Sequence, residues 1–380
     1  MFEQIVQAIR KIYGDRKTIP LHEPVFLGKE KEYMQECIDS TFVSSVGKYV
    51  DEFEARIAEY TGTRHAVAAM NGTAALHLCL VLNGTDHEHE VITQPLTFIA
   101  TINAIAYTGA KPVFIDVDKK TMGLSAEKLA DFLKNKTVQR ENGITFNKQT
   151  GRRISSCIPM HTFGHPADVI EIKALCDKYN ITLIEDAAES LGSRLGDKHT
   201  GAFGKMGIFS FNGNKIITTG GGGMIVTNDD LLAKKAKHLS TQAKAPHRWE
   251  FIHDHVGFNY RLPNINAAMG CAQMEYIDKL VNRKREIAEE YARLLENIPV
   301  AFFREPNGSH SNYWLNVILF NNREERDGFL NYANRHGILA RPAWRLIPKL
   351  EIHKNHQTEN IDNAHWLEDR LVNIPSTPTF

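Results

Sequence analysis

The chain has 380 residues, enough for one large and one smaller domain with substantial cores. Lys+Arg and Asp+Glu both number 45, so the formal net charge is zero, which argues against general nucleic-acid binding. The five cysteines are widely spaced and form no C-x-x-C pair. We therefore expect neither a disulfide framework nor a metal site, and a reducing cytoplasm fits best.

The N-terminal stretch MFEQIVQAIRKIYG has apolar residues at helical spacing. It predicts an amphipathic helix that packs on the body of the protein or on a partner, within a helical segment over residues 1–40. The stretch lacks the apolar core of a signal peptide, and no apolar run reaches the roughly 18 residues that a membrane span needs. No membrane association is expected.

Short strand-like runs rich in valine and isoleucine alternate with helical patterns from about residue 60. This alternation predicts an α/β domain over residues 41–264 with a largely parallel sheet. The predicted strands are 65–70, 90–94, 112–118, 155–161, 181–186, 207–212 and 223–227, with helices over 73–82 and 167–179 between them and a polar excursion over 137–153.

A long charged amphipathic helix is predicted from about residue 276. The strand candidate NYWLNVILF and the helix candidate REERDGFLNYANRHG follow it. These elements predict a smaller C-terminal α+β domain over residues 265–380.

Polar and aromatic residues collect where the predicted strands end, which is where open α/β sheets bind ligands. In chain order they are Asn71, Gly72, Thr73, Thr97, Phe98, Glu185, Asp186, Ser210, Asn212 and Lys215.

Together these residues suit pyridoxal 5′-phosphate (PLP). Lys215 would form a Schiff base with the cofactor aldehyde, and Asp186 would keep the pyridine nitrogen protonated, so that the ring withdraws electrons from the substrate carbon. The helix N-terminus at Gly72 and Thr73 would hold the phosphate, and Phe98 would stack on the ring. Once freed by substrate, the Lys215 amine would serve as general base.

Taken singly, each residue has a commoner structural explanation. A lysine after a strand is usually solvated, Asp186 would cap a helix, Phe98 would pack in the core, and the glycines at 220–223 would form a flexible turn. Asp168 is interpreted as a helix cap. The glycine run has neither P-loop nor dinucleotide-binding spacing. The cofactor interpretation therefore depends on the order and spacing of the whole set.

Seven segments resemble, in order, motifs of the DegT-type sugar-nucleotide aminotransferases. They are NGTAALHL, PLTFIATINAI, PVFIDVD, HTFGHPAD, IEDAAESLGS, FSFNGNKIITTGGGGMIVTND and GFNYRLPNINAAMG. The resemblance covers roughly residues 40–350. It implies the type I fold of PLP enzymes, with a mostly parallel seven-stranded sheet in the large domain and a smaller C-terminal α+β domain.

The resemblance also implies roles for individual residues. Lys215 matches the Schiff-base lysine and Asp186 the partner of the pyridine nitrogen. Ser210, Thr73 and the Gly72 backbone match phosphate contacts.

Three further matches concern the ring and a neighbouring subunit. Phe98 matches the residue that stacks on the ring. Glu189 lies where many relatives place glutamine or histidine beside the ring oxygen, and a carboxylate there implies a raised pKa. Asn259, in the GFNYRL motif, implies a contact with the cofactor phosphate of a neighbouring subunit, and therefore a homodimer with shared active sites.

The implied activity is PLP-dependent amino transfer from L-glutamate. The segment FVSSVGKYVDEFEARIAEYTG and the N-terminal helix look most like the branch that aminates UDP-linked 4-keto-6-deoxy-N-acetylhexosamines at C-4, toward bacillosamine-like or legionaminic-acid-like sugars. The alternatives are C-3 amination, dehydration or a non-catalytic regulatory homologue. The segments SHSNYWLNV and ILARPAWRLIPKLEIH would line the sugar pocket, with His310, Arg341 and His353 as candidate contacts.

Overall fold

The computed structural model describes residues 1–380. Its α-helices are α1 (Phe2–Tyr13), α2 (Glu30–Asp39), α3 (Lys48–Thr61), α4 (Gly72–Leu82), α5 (Ile99–Tyr107), α6 (Ala126–Lys136), α7 (Val169–Lys178), α8 (Asp230–Ser240), α9 (Asn264–Met274), α10 (Ile277–Leu294), α11 (Arg323–Arg335) and α12 (Asp362–Glu368). None of them is both long enough and apolar enough to cross a membrane.

The strands are mostly short. They are β1 (His65–Ala69), β2 (His89–Thr93), β3 (Lys111–Phe114), β4 (Thr137–Gln139), β5 (Thr145–Asn147), β6 (Arg153–Ile158), β7 (Thr182–Asp186), β8 (Arg194–Leu195), β9 (Lys198–His199), β10 (Met206–Ser210), β11 (Gly223–Thr227), β12 (Lys244–Ala245), β13 (Ile252–His253), β14 (Ala301–Phe302), β15 (Ser309–His310), β16 (Asn316–Leu319), β17 (Arg341–Pro342) and β18 (Leu371–Ile374).

A large sheet forms the centre of the molecule. Seven strands follow the order β1-β11-β10-β7-β6-β2-β3, and the hairpin β4–β5, within the predicted polar excursion, attaches to β6. Pairings from β10 through β7, β6 and β2 to β3 are parallel, whereas β11 is antiparallel to both β1 and β10. The expected α/β architecture with a mostly parallel sheet is confirmed.

Two neighbouring parallel strands place the key polar residues at one edge of this sheet. In the β7–β10 pair, Asp186 is opposite Ile208, and Ser210 follows two residues later. Because parallel strands end at the same edge, Asp186 and Ser210 emerge on the same side. Ser210 also pairs with Gly223 of β11.

Helix α4 brings its N-terminus to the same edge. Its sequence, GTAALHLCLVL, is apolar on nearly every side, and nine of its eleven residues are buried. It packs against β1, β10 and β11 as well as α5 and α8. This packing leaves little freedom in where the helix begins.

The smaller domain has an antiparallel sheet in the order β14-β16-β18-β17, with α10 and α11. Helix α1 packs here on its own chain, where Ile5 and Ile9 join Tyr291 and Phe329 in one buried cluster. Helix α9 packs against α2 and α3. The boundaries at residues 40 and 264 stay a prediction.

Asp116 connects the large domain to helix α12. The predicted strand 112–118 is too long, because β3 ends at Phe114 where its partner β2 ends at Thr93, and Asp116 follows outside the strand. Its buried carboxylate accepts the N–H groups of Asn363 and Ala364, both at 2.9 Å, at the start of α12. The first N–H groups of a helix lack partners within the helix, so the large domain satisfies them.

We therefore expect Asp116→Ala to lower the free energy of unfolding by about 1–3 kcal/mol, because the buried N–H of Ala364 and the part-buried N–H of Asn363 lose their acceptor. Urea unfolding of the purified protein measures this. Asp362→Ala removes an exposed carboxylate from the first turn of α12 and should cost less than about 1 kcal/mol. Equal losses in the two variants would contradict the capping role.

Candidate active site

One cavity of about 370 Å³ collects most of the predicted site residues. It lies at the ends of β7 and β10 and the start of α4, and Trp314 and Trp344 from the C-terminal part of the chain close it. The predicted residues that line it are Gly72, Thr73, Phe98, Asp186, Glu189, Ser210 and Lys215.

The Asp186 carboxylate faces this cavity from the end of β7. It accepts hydrogen bonds from the Thr101 hydroxyl, at 2.7 Å, and from the Ala188 N–H, at 3.2 Å. Burial raises its pKa, although both hydrogen bonds and the Lys215 charge oppose the rise. A cationic ligand group beside Asp186 would therefore favour its ionised form.

The adjacent Glu185 has a structural role. Successive side chains of a strand point to opposite faces, so Glu185 points away from Asp186. It accepts the N–H groups of Gly201, Phe203 and Gly204 and a hydrogen bond from His161 at 3.0 Å. These contacts hold the chain between β9 and β10 against the sheet.

Lys215 follows β10 in a turn, where its N–H donates to the Asn212 carbonyl at 2.9 Å. The side chain is 13% exposed, unlike that of a solvated surface lysine. Its amine Nζ lies 3.2 Å from the Glu189 carboxylate and 4.0 Å from the centroid of the Trp314 ring. The structure thus holds the amine between a carboxylate and an aromatic face.

Glu189 is buried between Lys215 and the loop after β6. Its carboxylate accepts the Phe163 N–H at 2.9 Å. Burial raises its pKa from 4.5 to about 7, the nearby Lys215 charge and the Phe163 hydrogen bond acting in the opposite direction. Glu189 therefore gains and loses a proton near neutral pH.

The start of α4 forms a cradle of N–H groups beside a hydroxyl. Asn71 caps the helix by accepting the Ala74 N–H at 2.8 Å. A Cβ atom at Gly72 would lie 3.0 Å from the Ser210 Cβ, and one at Gly223 would lie 2.4 Å from the Asn71 backbone. The last glycine of the GGGG run is thus required for close packing against this cradle.

These features fit PLP. The cradle at Gly72 and Thr73 suits a phosphate, because unpaired helical N–H groups bind anions. The buried Asp186 suits a protonated ring nitrogen, and the Lys215 amine is within the same cavity. The Phe98 ring is 49% exposed although it borders the cavity, so it offers an apolar face to a planar ligand. The individual roles stay predictions.

The other four predicted residues lie outside the residues that line the cavity. Asn259 is exposed on its own chain, beside Thr241. His310 is half-buried in β15, paired with Arg194 of β8. Arg341 is exposed and bonds the Asn334 side chain at 2.9 Å. His353 is buried, with both ring nitrogens lacking a partner. Their assigned contacts stay predictions.

Sequence reasoning missed Trp314, Trp344 and Thr101. Trp314 and Trp344 lie in the two segments expected to line the sugar pocket. The cavity is lined by these two tryptophans and not by His310, Arg341 or His353, which were chosen from the same segments. Tryptophan is scarce here, with four in the chain, and its presence in both segments was the available signal. Thr101 is on α5, one turn after Phe98, where periodicity alone gives no sign of its bond to Asp186.

We expect Glu189→Gln to change the pH dependence of stability in cofactor-free protein. A carboxyl whose pKa rises from 4.5 to about 7 on folding takes up a proton, so the free energy of unfolding falls as pH rises through this window. Glutamine has no ionisable proton, so the variant lacks this pH-dependent contribution to the free energy of unfolding. The variant should match wild type near pH 4 and exceed it at pH 8 by on the order of 1–3 kcal/mol in urea unfolding. A difference that does not change with pH would contradict the assignment.

Comparison with known proteins finds relatives that match over nearly the whole chain. GDP-perosamine synthase of Escherichia coli O157:H7 is 39% identical over 366 residues, covering 96% of this chain and 94% of that protein. GDP-perosamine synthase of Vibrio cholerae is 35% identical, covering 95% and 94%. The crystal structure of the aminotransferase TlmJ from Streptoalloteichus hindustanus superposes with a TM-score of 0.85 at 26% identity, covering 94% of this chain and 93% of that chain.

The sequence model of the DegT/DnrJ/EryC1/StrS aminotransferase family matches residues 27–380. That match covers nearly all of the chain, including the cavity residues and both tryptophans. The chain therefore belongs to the DegT/DnrJ/EryC1/StrS aminotransferase family of PLP-dependent sugar aminotransferases.

Proposed function

We propose that this enzyme transfers the amino group of L-glutamate to the C-4 keto carbon of a nucleotide-linked 4-keto-6-deoxy sugar. The observation that carries the proposal is the shared cavity of Lys215 and Asp186, with the helix cradle at Gly72 on its wall. A non-catalytic homologue would have no need for a lysine amine held in a cavity beside a carboxyl group whose pKa is raised.

Each residue has a chemical task in this reaction. PLP supplies an electron-withdrawing ring and an aldehyde carbon that carries the amino group between substrates. Asp186 holds the ring nitrogen protonated. With the cofactor bound, Lys215 would take the proton from the α-carbon of L-glutamate and deliver it to the cofactor carbon that receives the nitrogen, and one water would be consumed as 2-oxoglutarate is released. In the second half, the C-4 keto oxygen of the sugar would leave as water, and the Lys215 amine would move the proton from that cofactor carbon to C-4.

The nucleotide is guanosine or uridine diphosphate. The resemblance of residues 42–62 favours a UDP-linked N-acetylhexosamine, whereas two relatives with 35–39% identity are named GDP-perosamine synthases. Because those relatives cover nearly the whole chain, a GDP-linked 4-keto-6-deoxyhexose is the first substrate to test and the UDP-linked sugar the second.

We place the reaction in the cytoplasm and in a homodimer. All five cysteines are free and buried, which suits a reducing compartment. Asn259 is exposed and belongs to the same segment, residues 251–259, as Phe251 and Val256, which are 79% and 88% exposed. A second subunit seated on this surface would cover the apolar groups and bring Asn259 to a cavity other than its own.

We expect Lys215→Ala to lower turnover by more than about a thousandfold, because the proton-moving amine is lost, and to abolish the absorbance of the Schiff base between lysine and cofactor, because that bond cannot form. Lys205→Ala, at an exposed lysine just before β10, is the matched control and should keep the turnover and the cofactor absorbance of the wild type. Normal turnover in Lys215→Ala, measured as 2-oxoglutarate release, would refute the mechanism.

We expect Asp186→Asn to fold and bind cofactor but to turn over about a hundredfold more slowly, because an amide cannot hold the ring nitrogen protonated. Thermal melting reports folding, and stopped-flow spectroscopy of the glutamate half reaction reports the rate. An unchanged rate with cofactor bound would count against this role.

A panel of keto-sugar nucleotides tests the substrate. Purified enzyme, L-glutamate and either the GDP-linked or the UDP-linked 4-keto-6-deoxy sugar should give one product with nitrogen at C-4, located by NMR. Nitrogen at C-3, or loss of water without nitrogen transfer, would identify one of the related PLP reactions instead.

Mixed dimers test the shared site. Asn259→Ala and Lys215→Ala subunits should each be inactive or weak alone, yet random mixing should restore about a quarter of wild-type sites, because half of the dimers are mixed and each holds one intact site. No recovery after confirmed subunit exchange would argue that Asn259 does not act across the interface.

A further inference from the structure

Trp314 contacts both the side chain and the backbone around Lys215. Its ring centroid lies 4.0 Å from Lys215 Nζ, and its indole N–H donates to the carbonyl of Asn214, the residue before the lysine, at 2.6 Å. The indole is therefore fixed relative to the turn that carries the amine. An aromatic face at this distance attracts an ammonium group.

The backbone of Trp314 is itself held firmly. Its N–H donates to the Asn312 side chain at 2.8 Å, and its carbonyl accepts from Lys284 Nζ at 3.1 Å. Lys284 is fully buried and also donates to the Ser376 carbonyl. A buried amine bonded to two carbonyls has no visible task except to hold this segment and the C-terminal residues together.

The same segment reaches the loop that carries Glu189. The buried Asn312 side chain donates to the carbonyls of Glu189, at 2.9 Å, and Leu191, at 2.8 Å. A Cβ atom at Gly164 would lie 1.9 Å from the Asn312 side-chain oxygen, so the loop that carries Phe163 and Gly164 packs directly on the Asn312 side chain. Trp314 thus contacts Lys215, and Asn312 contacts the backbone of Glu189.

Backbone strain is found at the same place. Tyr313 and Phe163 have φ angles of 45° and 56°, in the left-handed region that bulky residues rarely adopt. Tyr313 lies between Asn312 and Trp314, and the Phe163 N–H is the one that Glu189 accepts. Such strain persists only where surrounding contacts enforce it, and it concentrates at functional sites.

We propose that Trp314 is a positioning residue, which holds the Lys215 amine beside Glu189 whenever that amine is not bonded to the cofactor. This inference rests on the proposed function, in which the amine must alternate between a covalent bond and a proton-moving role. A free lysine side chain has many rotamers, and the aromatic face and the carboxylate together restrict it to the position from which the proton moves.

Chemical labelling of cofactor-free protein tests the inference without any substrate. Acetic anhydride modifies free amines, and peptide mass spectrometry gives the rate at Lys215 relative to the exposed Lys205. Trp314→Leu removes the aromatic face and should raise the Lys215 rate about three- to tenfold, whereas Trp314→Phe keeps an aromatic face and should stay within about twofold of wild type.

Trp366→Leu is the matched control. Trp366 also has a lysine amine over its ring, that of Lys119 at 4.7 Å, but it lies outside the cavity. This variant should leave the Lys215 labelling rate unchanged. If Trp314→Leu does not fold at the labelling temperature, Trp314→Met replaces it as an apolar side chain without an aromatic face.

Kinetics of the loaded enzyme give a second readout. Trp314→Leu should lower kcat about tenfold while the KM for L-glutamate stays within about threefold, and Trp314→Phe should recover most of kcat. Equal labelling and equal kcat in the Leu and Phe variants would overturn the inference, and so would a change confined to the KM for the sugar. Because labelling needs no sugar, its result stands even if every proposed sugar substrate fails.

Discussion

The buried carboxylate of Glu189 is the constraint on which the arrangement of the site depends. A carboxylate removed from water requires partners, and those of Glu189 come from separate parts of the chain. The Lys215 amine comes from the turn after β10, and the Phe163 N–H from the loop after β6. The Glu189 carbonyl is bound by Asn312 from the C-terminal part of the chain. The carboxylate of Glu189 thus joins two segments, and the backbone carbonyl of the same residue connects them to a third.

Two carboxylates in one cavity have different environments, and their chemistry differs accordingly. Asp186 has a hydroxyl and an N–H as partners and lies where a cationic ring nitrogen would complete its surroundings. Glu189 shares its site with the Lys215 amine, and in the cofactor-free chain burial raises its pKa to about 7. The two carboxyl groups therefore differ in their partners, and such differences let carboxyl groups in one site have different protonation behaviour.

The cavity is made by both parts of the chain. The strand ends and the start of α4 provide polar groups, and Trp314 and Trp344 provide an aromatic wall, with the Trp344 ring 4.8 Å from Phe163 and 6.0 Å from Phe98. Two contacts join these parts: the Asp116 carboxylate accepts N–H groups at the start of α12, and the Asn312 side chain donates to the Glu189 carbonyl. A change in that packing would therefore alter the surroundings of Lys215.

The sequence determined the α/β order and the polar residues that follow β7 and β10, because buried parallel strands are apolar throughout and polar residues mark where they end. It did not determine every strand end, since β3 and β6 stop before the predicted limits. It could not decide which side chains of a loop face the cavity. His310 was chosen from its segment, but strand pairing takes it to β8, and the left-handed turn at Tyr313 sends Trp314 inward. Which side chains of this segment face the cavity depends on long-range contacts made by Lys284 and Gly164, and such contacts produce no periodic pattern in the sequence.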